Sequence, residues 1–167
     1  GVSNYSPQRM RRAHRQLEKR GLPLAANQVL FSLLQRGIER DGTLETAREL
    51  GVTIIAYTPL ASGLLSGKYH KHPELLEKKP FYWRGRLKRE LEKSRPLVQA
   101  LEEIGIKYNA TPAQVALNWV IYFHGDSVIT IPGATSPRQA EENAGAMRFK
   151  LSQDELDRLD ALSRAMG

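Results

Sequence analysis

The run from Ser127 to Asn143, SVITIPGATSPRQAEEN, has the residue types and spacing to hold an anion. Ser127 to Ile131 is apolar and β-branched, the pattern of a short buried strand. Pro132-Gly133 ends it. Ser136-Pro137 then opens a helix, with Ser136 as N-cap, Pro137 in the first helical position and Gln139 placed to close a capping box. A strand, a tight glycine turn and a helix start leave backbone N–H groups and the positive end of the helix dipole above the turn. That chemistry predicts a seat for the phosphate end of a nucleotide.

Other polar residues are placed in the same way. Gly1-Val2 reads as the end of a strand, followed by Ser3-Asn4. Leu24 to Leu30 reads as a strand with Asn27 and Gln28 near its C-terminal end. Val52 to Ala56 is a continuous apolar strand followed by Tyr57-Thr58-Pro59-Leu60-Ala61-Ser62-Gly63-Leu64. In each case the polar or glycine residues sit where the strand stops, the end at which α/β folds bind ligands.

The elements between them follow from their start and stop signals. Ser6-Pro7 starts a helix that runs to about Arg20 and is closed by Gly21. Asp41-Gly42-Thr43 marks a turn before a helix from Leu44 to Leu50. Ser66 to Pro80 reads as a long basic loop. Arg86 to Ile104 is helical in period, with Pro96 expected to kink it or start a second helix. Thr111-Pro112-Ala113-Gln114 is a capping box, and Val115, Leu117, Trp119, Val120 and Phe123 behind it form an apolar stripe. Ser152-Gln153-Asp154-Glu155 is a second capping box, with Leu151 and Leu156 as its hydrophobic staple. The βα alternation predicts an α/β fold with a parallel sheet.

Composition narrows the function classes. The chain has 167 residues, no cysteine and a net charge of +7, so neither disulfides nor thiolate metal sites are available, and anionic partners are favoured. Between Lys68 and Arg95, ten basic residues face four acidic ones, which places +6 of the charge in that stretch. Arg9, Arg11, Arg12 and Arg15 form a second basic cluster. With Tyr82 and Trp83 as stacking groups the first cluster would suit a nucleic acid, but charge is its only signal. A solvated helix face is the preferred reading, with no nucleic-acid partner. No apolar run approaches the ~20 residues of a membrane span, and no leader pattern opens the chain, so a cytoplasmic location and no membrane partner are expected. His14, His70, His72 and His124 show no metal spacing with carboxylates and are expected at the surface or in loops.

At this point five segments carry a resemblance. They are Gly1-Val2-Ser3-Asn4-Tyr5, Asn27-Gln28-Val29, Ala56 to Tyr69, Thr111 to Trp119, and Ile131-Pro132-Gly133-Ala134 through Glu142-Asn143. In this order and spacing the chain resembles the C-terminal half of an aldo/keto reductase, strands five to eight of a (β/α)8 TIM barrel, with residues 1–167 as one unit. The Pro59-Leu60-Ala61 to Lys68-Tyr69 run is most similar to the branch of potassium-channel β subunits and bacterial general-stress reductases.

The resemblance implies NADP (NADPH) as cofactor and an aldehyde or ketone as the small-molecule carbonyl substrate. It implies that Ser3, Asn4 and Gln28 hold the nicotinamide carboxamide, that Tyr57 stacks on the nicotinamide ring, and that Thr58, Pro59, Leu60, Ala61 and Gly63 wrap the pyrophosphate. Lys68 and Arg84 would reach the phosphates. Gly133, Thr135, Gln139, Glu142 and Asn143 would take the adenosine end, Glu142 and Asn143 at the adenine amino group. Gln139 stands where other branches carry arginine, which leaves Arg84 and Arg138 to favour NADP over NAD. The family's acid tyrosine and its lysine, aspartate and histidine come from the other half of the barrel, so no catalytic residue is assigned here. Half a barrel has two open strand edges and an uncovered inner face, so the expected partner is the missing N-terminal half-barrel or, as a homo-oligomer, a further copy. The alternative within the family is a cofactor-sensing interaction subunit of the channel-β type, which no residue selects.

Overall fold

The computed structural model describes residues 1–78 and 81–166. The elements are β1 (Val2–Ser3), α1 (Pro7–Glu18), β2 (Ala26–Leu30), α2 (Gly37–Arg40), α3 (Thr43–Glu49), β3 (Thr53–Tyr57), a 3-10 stretch (Ala61–Ser66), α4 (Lys68–Lys71), a second 3-10 stretch (Pro73–Lys78), α5 (Phe81–Tyr108), α6 (Pro112–Tyr122), a 3-10 turn (Gly125–Ser127), β4 (Val128–Ile131), α7 (Pro137–Gly145) and α8 (Gln153–Arg164). β1 to β4 form one parallel sheet in sequential order.

The helix starts are chemical. Ser6 and Ser136 each accept the N–H three residues on, and Thr111 and Ser152 form complete capping boxes with Gln114 and Glu155. Leu151 and Leu156 are both buried, as a staple requires.

Burial alternates along the strands. Asn27, Val29, Ile54, Ala56 and Val128 are buried in the helix layer, in a core that includes Met10, Phe31, Leu101, Trp119 and Leu159. The opposite face carries two rows set by the register. Ser3, Gln28, Ile55 and Ile129 form one, and Leu30, Tyr57 and Ile131 the next. Ile129 and Ile131 on that face are 50% and 45% exposed.

Several expectations are corrected. Asn27 is not a strand-end group: it is fully buried, its Oδ1 accepts the Tyr5 N–H at 3.2 Å and its Nδ2 donates to the Tyr5 carbonyl at 3.0 Å. The expected loop from Ser66 to Pro80 is structured as far as Lys78, because Leu64, Tyr69, Leu76 and Leu91 close a small second core beneath it. Residues 79 and 80 lie outside the described residues, as do the side chains of Lys78, Trp83 and Arg86, on which part of the basic-patch reading rested. Pro96 lies inside α5 without dividing it. α2 gave no signal in the sequence, since its N-cap, Arg36, makes no side-chain cap bond.

His124, expected at the surface or in a loop, lies in the turn after α6 and joins an ion network there. Its Nε2 lies 2.6 Å from Glu39 Oε1, while Arg48 Nη2 approaches its Nδ1 at 3.2 Å. Arginine can only donate, so Nδ1 accepts and Nε2 carries the proton that goes to Glu39. Glu39 also takes both prongs of Arg36 at 2.7 Å, and Arg36 Nη1 meets Asp160 at 2.6 Å. Burial alone would raise the Glu39 carboxyl, but hydrogen bonds from His124 and Arg36 and the Arg36 charge outweigh it and bring it from the usual 4.5 to about 2. A depressed carboxylate contributes stability that is present above its unfolded value and lost as pH falls through the folded one. The urea midpoint should therefore drop between about pH 4.5 and about 2. Across that window the gap between the parent and Glu39→Gln should narrow; a gap that stays constant would remove Glu39 as its source.

Candidate functional site

Asn4 and Tyr57 meet at the upper ends of β1 and β3, with Ser3 and Gln28 in the register row below on the same face. Ser3 Oγ donates to the Gln28 carbonyl at 3.2 Å and the Asn4 N–H to the same oxygen at 2.8 Å. Asn4 has a φ of 54°, a left-handed value that asparagine tolerates. The turn brings its Oδ1 to accept from the Tyr57 hydroxyl at 3.3 Å. Among the described residues the side-chain amide of Gln28 has no protein partner, so it remains able to donate and accept. An amide at the Tyr57 hydroxyl, with a second one row below on the same face, suits a flat heteroaromatic carboxamide.

The loop after β3 is strained. Thr58, Ala61, Ser62 and Gly63 all have positive φ, at 55°, 48°, 56° and 91°. For a β-branched threonine this is an outlier, and backbone cost of this kind, ~1–3 kcal/mol per residue, clusters at ligand sites. The Ala61 and Gly63 N–H groups already donate to the carbonyls of Thr58 and Leu60, so those two donors are used within the loop. The cation above it is Lys68. A Cβ on Gly63 would lie 3.2 Å from Lys68 Cε and 3.3 Å from Tyr69, so glycine is what lets Lys68 lie over the loop.

Facing this loop across a hollow of about 880 Å³ is the segment after β4. Ile131, Pro132, Gly133, Arg138, Gln139, Glu142 and Asn143 form that wall; Thr58, Pro59, Leu60, Ser62, Gly63 and Lys68 form the other. Gln139 does not complete a capping box. Its Oε1 accepts instead from the Thr135 N–H at 2.7 Å and the Thr135 hydroxyl at 2.9 Å, while Ser136 caps the Gln139 N–H. Asn143 Nδ2 donates to the Gly133 carbonyl at 3.3 Å.

The predicted residues therefore fall into two adjoining groups, Asn4 and Tyr57 at the strand tips with Ser3 and Gln28 one row below, and the lining of the hollow beside Thr58. Ala61 and Thr135 support the walls without lining them. Arg84 is not part of the lining: its guanidinium donates to the carbonyl of Glu77. Ser62, Ser66 and Tyr69 line the hollow and were missed; only their place inside the Ala56–Tyr69 motif could have marked them. A separate cavity of about 330 Å³ near Leu33, Arg36 and Ser163 lies against the paired charges of the Arg36 network. No group of metal-ligating side chains is present among the described residues, and none of their helices is long and apolar enough to cross a membrane.

A protein-family model described as the aldo/keto reductase family matches residues 1–164. The chain belongs to that family. It is 42% identical over 156 residues to a chloroplastic pyridoxal reductase of Arabidopsis thaliana, covering 93% of this chain and 40% of that protein. An aldo-keto reductase of Schizosaccharomyces pombe named yakc [NADP(+)] is 35% identical, with 91% and 44% covered. The crystal structure of the thermostable aldo-keto reductase Tm1743, in complex with the inhibitor epalrestat, superposes with a TM-score of 0.70 at 31% identity, covering 97% of this chain and 47% of the other. This aldo/keto reductase chain thus spans less than half the length of these relatives, and its parallel α/β sheet matches their fold.

Proposed function

We propose that this aldo/keto reductase chain is the NADPH-binding half of a (β/α)8 barrel that transfers hydride between NADPH and an aldehyde or ketone. The observation that carries this reading is the Asn4–Tyr57 contact at 3.3 Å beside a hollow of about 880 Å³ walled by the strained loop, Lys68 and the start of α7. A dinucleotide fits that order of groups. Ser3, Asn4 and Gln28 would hold the carboxamide and the Tyr57 ring would lie flat on the nicotinamide. Lys68 would neutralise the pyrophosphate. Gly133, Gln139, Glu142 and Asn143 would take the adenosine, with Arg138 the cation nearest a 2′-phosphate on that wall.

When bound, the cofactor supplies the hydride; the residues here bind it, orient its ring and leave one ring face toward the sheet's inner side. The acid that protonates the carbonyl oxygen would come from a complementary half pairing with the open edges of β1 and β4 and covering Ile129 and Ile131. In that assembly the substrate pocket would be shared with loops outside this sequence. The test is fluorescence titration with NADPH. Saturable quenching of the tryptophan emission is expected, and Tyr57→Ala should weaken the affinity by about tenfold through loss of ring stacking. A parent chain that shows no saturable response would overturn the assignment.

A further inference from the structure

We infer that Thr111, at the start of α6, is a positioning residue for nucleotide binding: its hydroxyl holds the Glu142 carboxylate so that the other carboxylate oxygen is presented to the adenine amino group. This rests on the reading that Glu142 takes the adenosine end.

The Thr111 hydroxyl does two things at once. Its oxygen accepts the Gln114 N–H at 3.2 Å, which caps α6, and its proton goes to Glu142 Oε1 at 3.0 Å, which reaches across to α7. A hydroxyl has one proton to give and two lone pairs to accept with, so both bonds are made without conflict. The capping-box glutamine is shared in the same way. Gln114 Oε1 accepts the Thr111 N–H at 2.9 Å, and Nε2 donates to the Glu142 carbonyl at 2.9 Å. Glu142 is therefore held at its backbone by one residue of the box and at its side chain by the other. α7 can come this close because Gly145 has no Cβ; one built there would lie 2.3 Å from Gln114 Nε2.

The consequence is preorganisation. A free glutamate loses rotamer freedom when it engages a ligand, whereas one already pinned through Oε1 has less to lose. Glu142 lines the hollow, and among the described residues no protein group is bonded to its second oxygen. Nothing about Thr111 beyond its capping role is evident from sequence, because Glu142 is 31 residues away.

Thr111→Asp separates the two roles. Aspartate is a good N-cap and keeps an acceptor for the Gln114 N–H, but as a carboxylate it has no proton for Glu142 and repels it. Thr111→Ser keeps both. With the 167-residue chain, Thr111→Asp should weaken NADPH binding by about tenfold while leaving the melting temperature close to the parent's, and Thr111→Ser should bind as the parent does. Binding of reduced nicotinamide mononucleotide, which has no adenosine, should be unchanged in Thr111→Asp. Equal NADPH affinity in Thr111→Asp and the parent would overturn the inference, as would a parallel loss of affinity for the mononucleotide or a matching fall in melting temperature. A parent that binds no NADPH would instead remove the reading beneath it.

Discussion

Arg36→Ala is expected to lower stability by about 3 kcal/mol, because it strips the nearly buried Glu39 and the partly buried Asp160 of their shared cation and leaves them only His124 and Arg164. Arg36 is only 7% exposed; it binds Glu39 through two nitrogens and Asp160 through a third, and its guanidinium lies 4.9 Å from the Trp119 ring. These contacts tie the segment after β2 to α8, which is far from it in sequence. Alanine removes the ion pairs, the cation–π contact and the packing together. Arg36→Lys should recover little, since a point-charge ammonium cannot make the two-pronged bond to Glu39. Urea denaturation at neutral pH measures the effect. A loss below about 1 kcal/mol would show that water reaches the pair and screens it as it does a surface salt bridge.

The second large effect is expected at Asn118, which is fully buried in α6. Its Nδ2 donates to the carbonyls of Ala146 at 2.8 Å and Phe149 at 2.7 Å, and its Oδ1 accepts the Leu151 N–H at 3.4 Å. It thus satisfies the backbone that links α7 to α8. Asn118→Leu is nearly the same size but leaves those three groups unpaired, at about 1–3 kcal/mol for each buried polar group. A total loss of roughly 3 kcal/mol is expected, short of the sum because the segment can shift toward water. The same shift would move α7, so NADPH affinity should fall with stability in this variant, unlike Thr111→Asp. A variant as stable as its parent would mean that the three backbone groups find water without cost.

Much of this was readable because it is local. Caps declare themselves within four residues, so Ser6, Thr111, Ser136 and Ser152 could be placed as helix starts from sequence alone. The strand ends carrying Asn4, Tyr57 and Gly133 were legible for the same reason. What was not legible depends on contacts distant in sequence. Nothing in the sequence says that Asn27 turns inward to clamp Tyr5, or that Gln139 prefers Thr135 to its own cap. His124 sits in a run with no metal spacing, and its partner Glu39 is 85 residues away. The left-handed values at Thr58, Ala61 and Ser62 are hidden as well, because none of these residue types favours them. Arg84 shows the opposite error, a suitable residue at a suitable position whose guanidinium turns to the Glu77 carbonyl.

The strict alternation in β2 and β3 has a further consequence for how this chain can vary. Adding or deleting one residue ahead of Tyr57 would rotate the ring into the helix layer and turn the Ala56 methyl outward in its place. Substitutions can be graded at these positions, but changes of length cannot. A change of length is therefore tolerable only in the connections, and the spacing between the groups that would meet a dinucleotide is fixed by pleat geometry rather than by the identity of the residues between them.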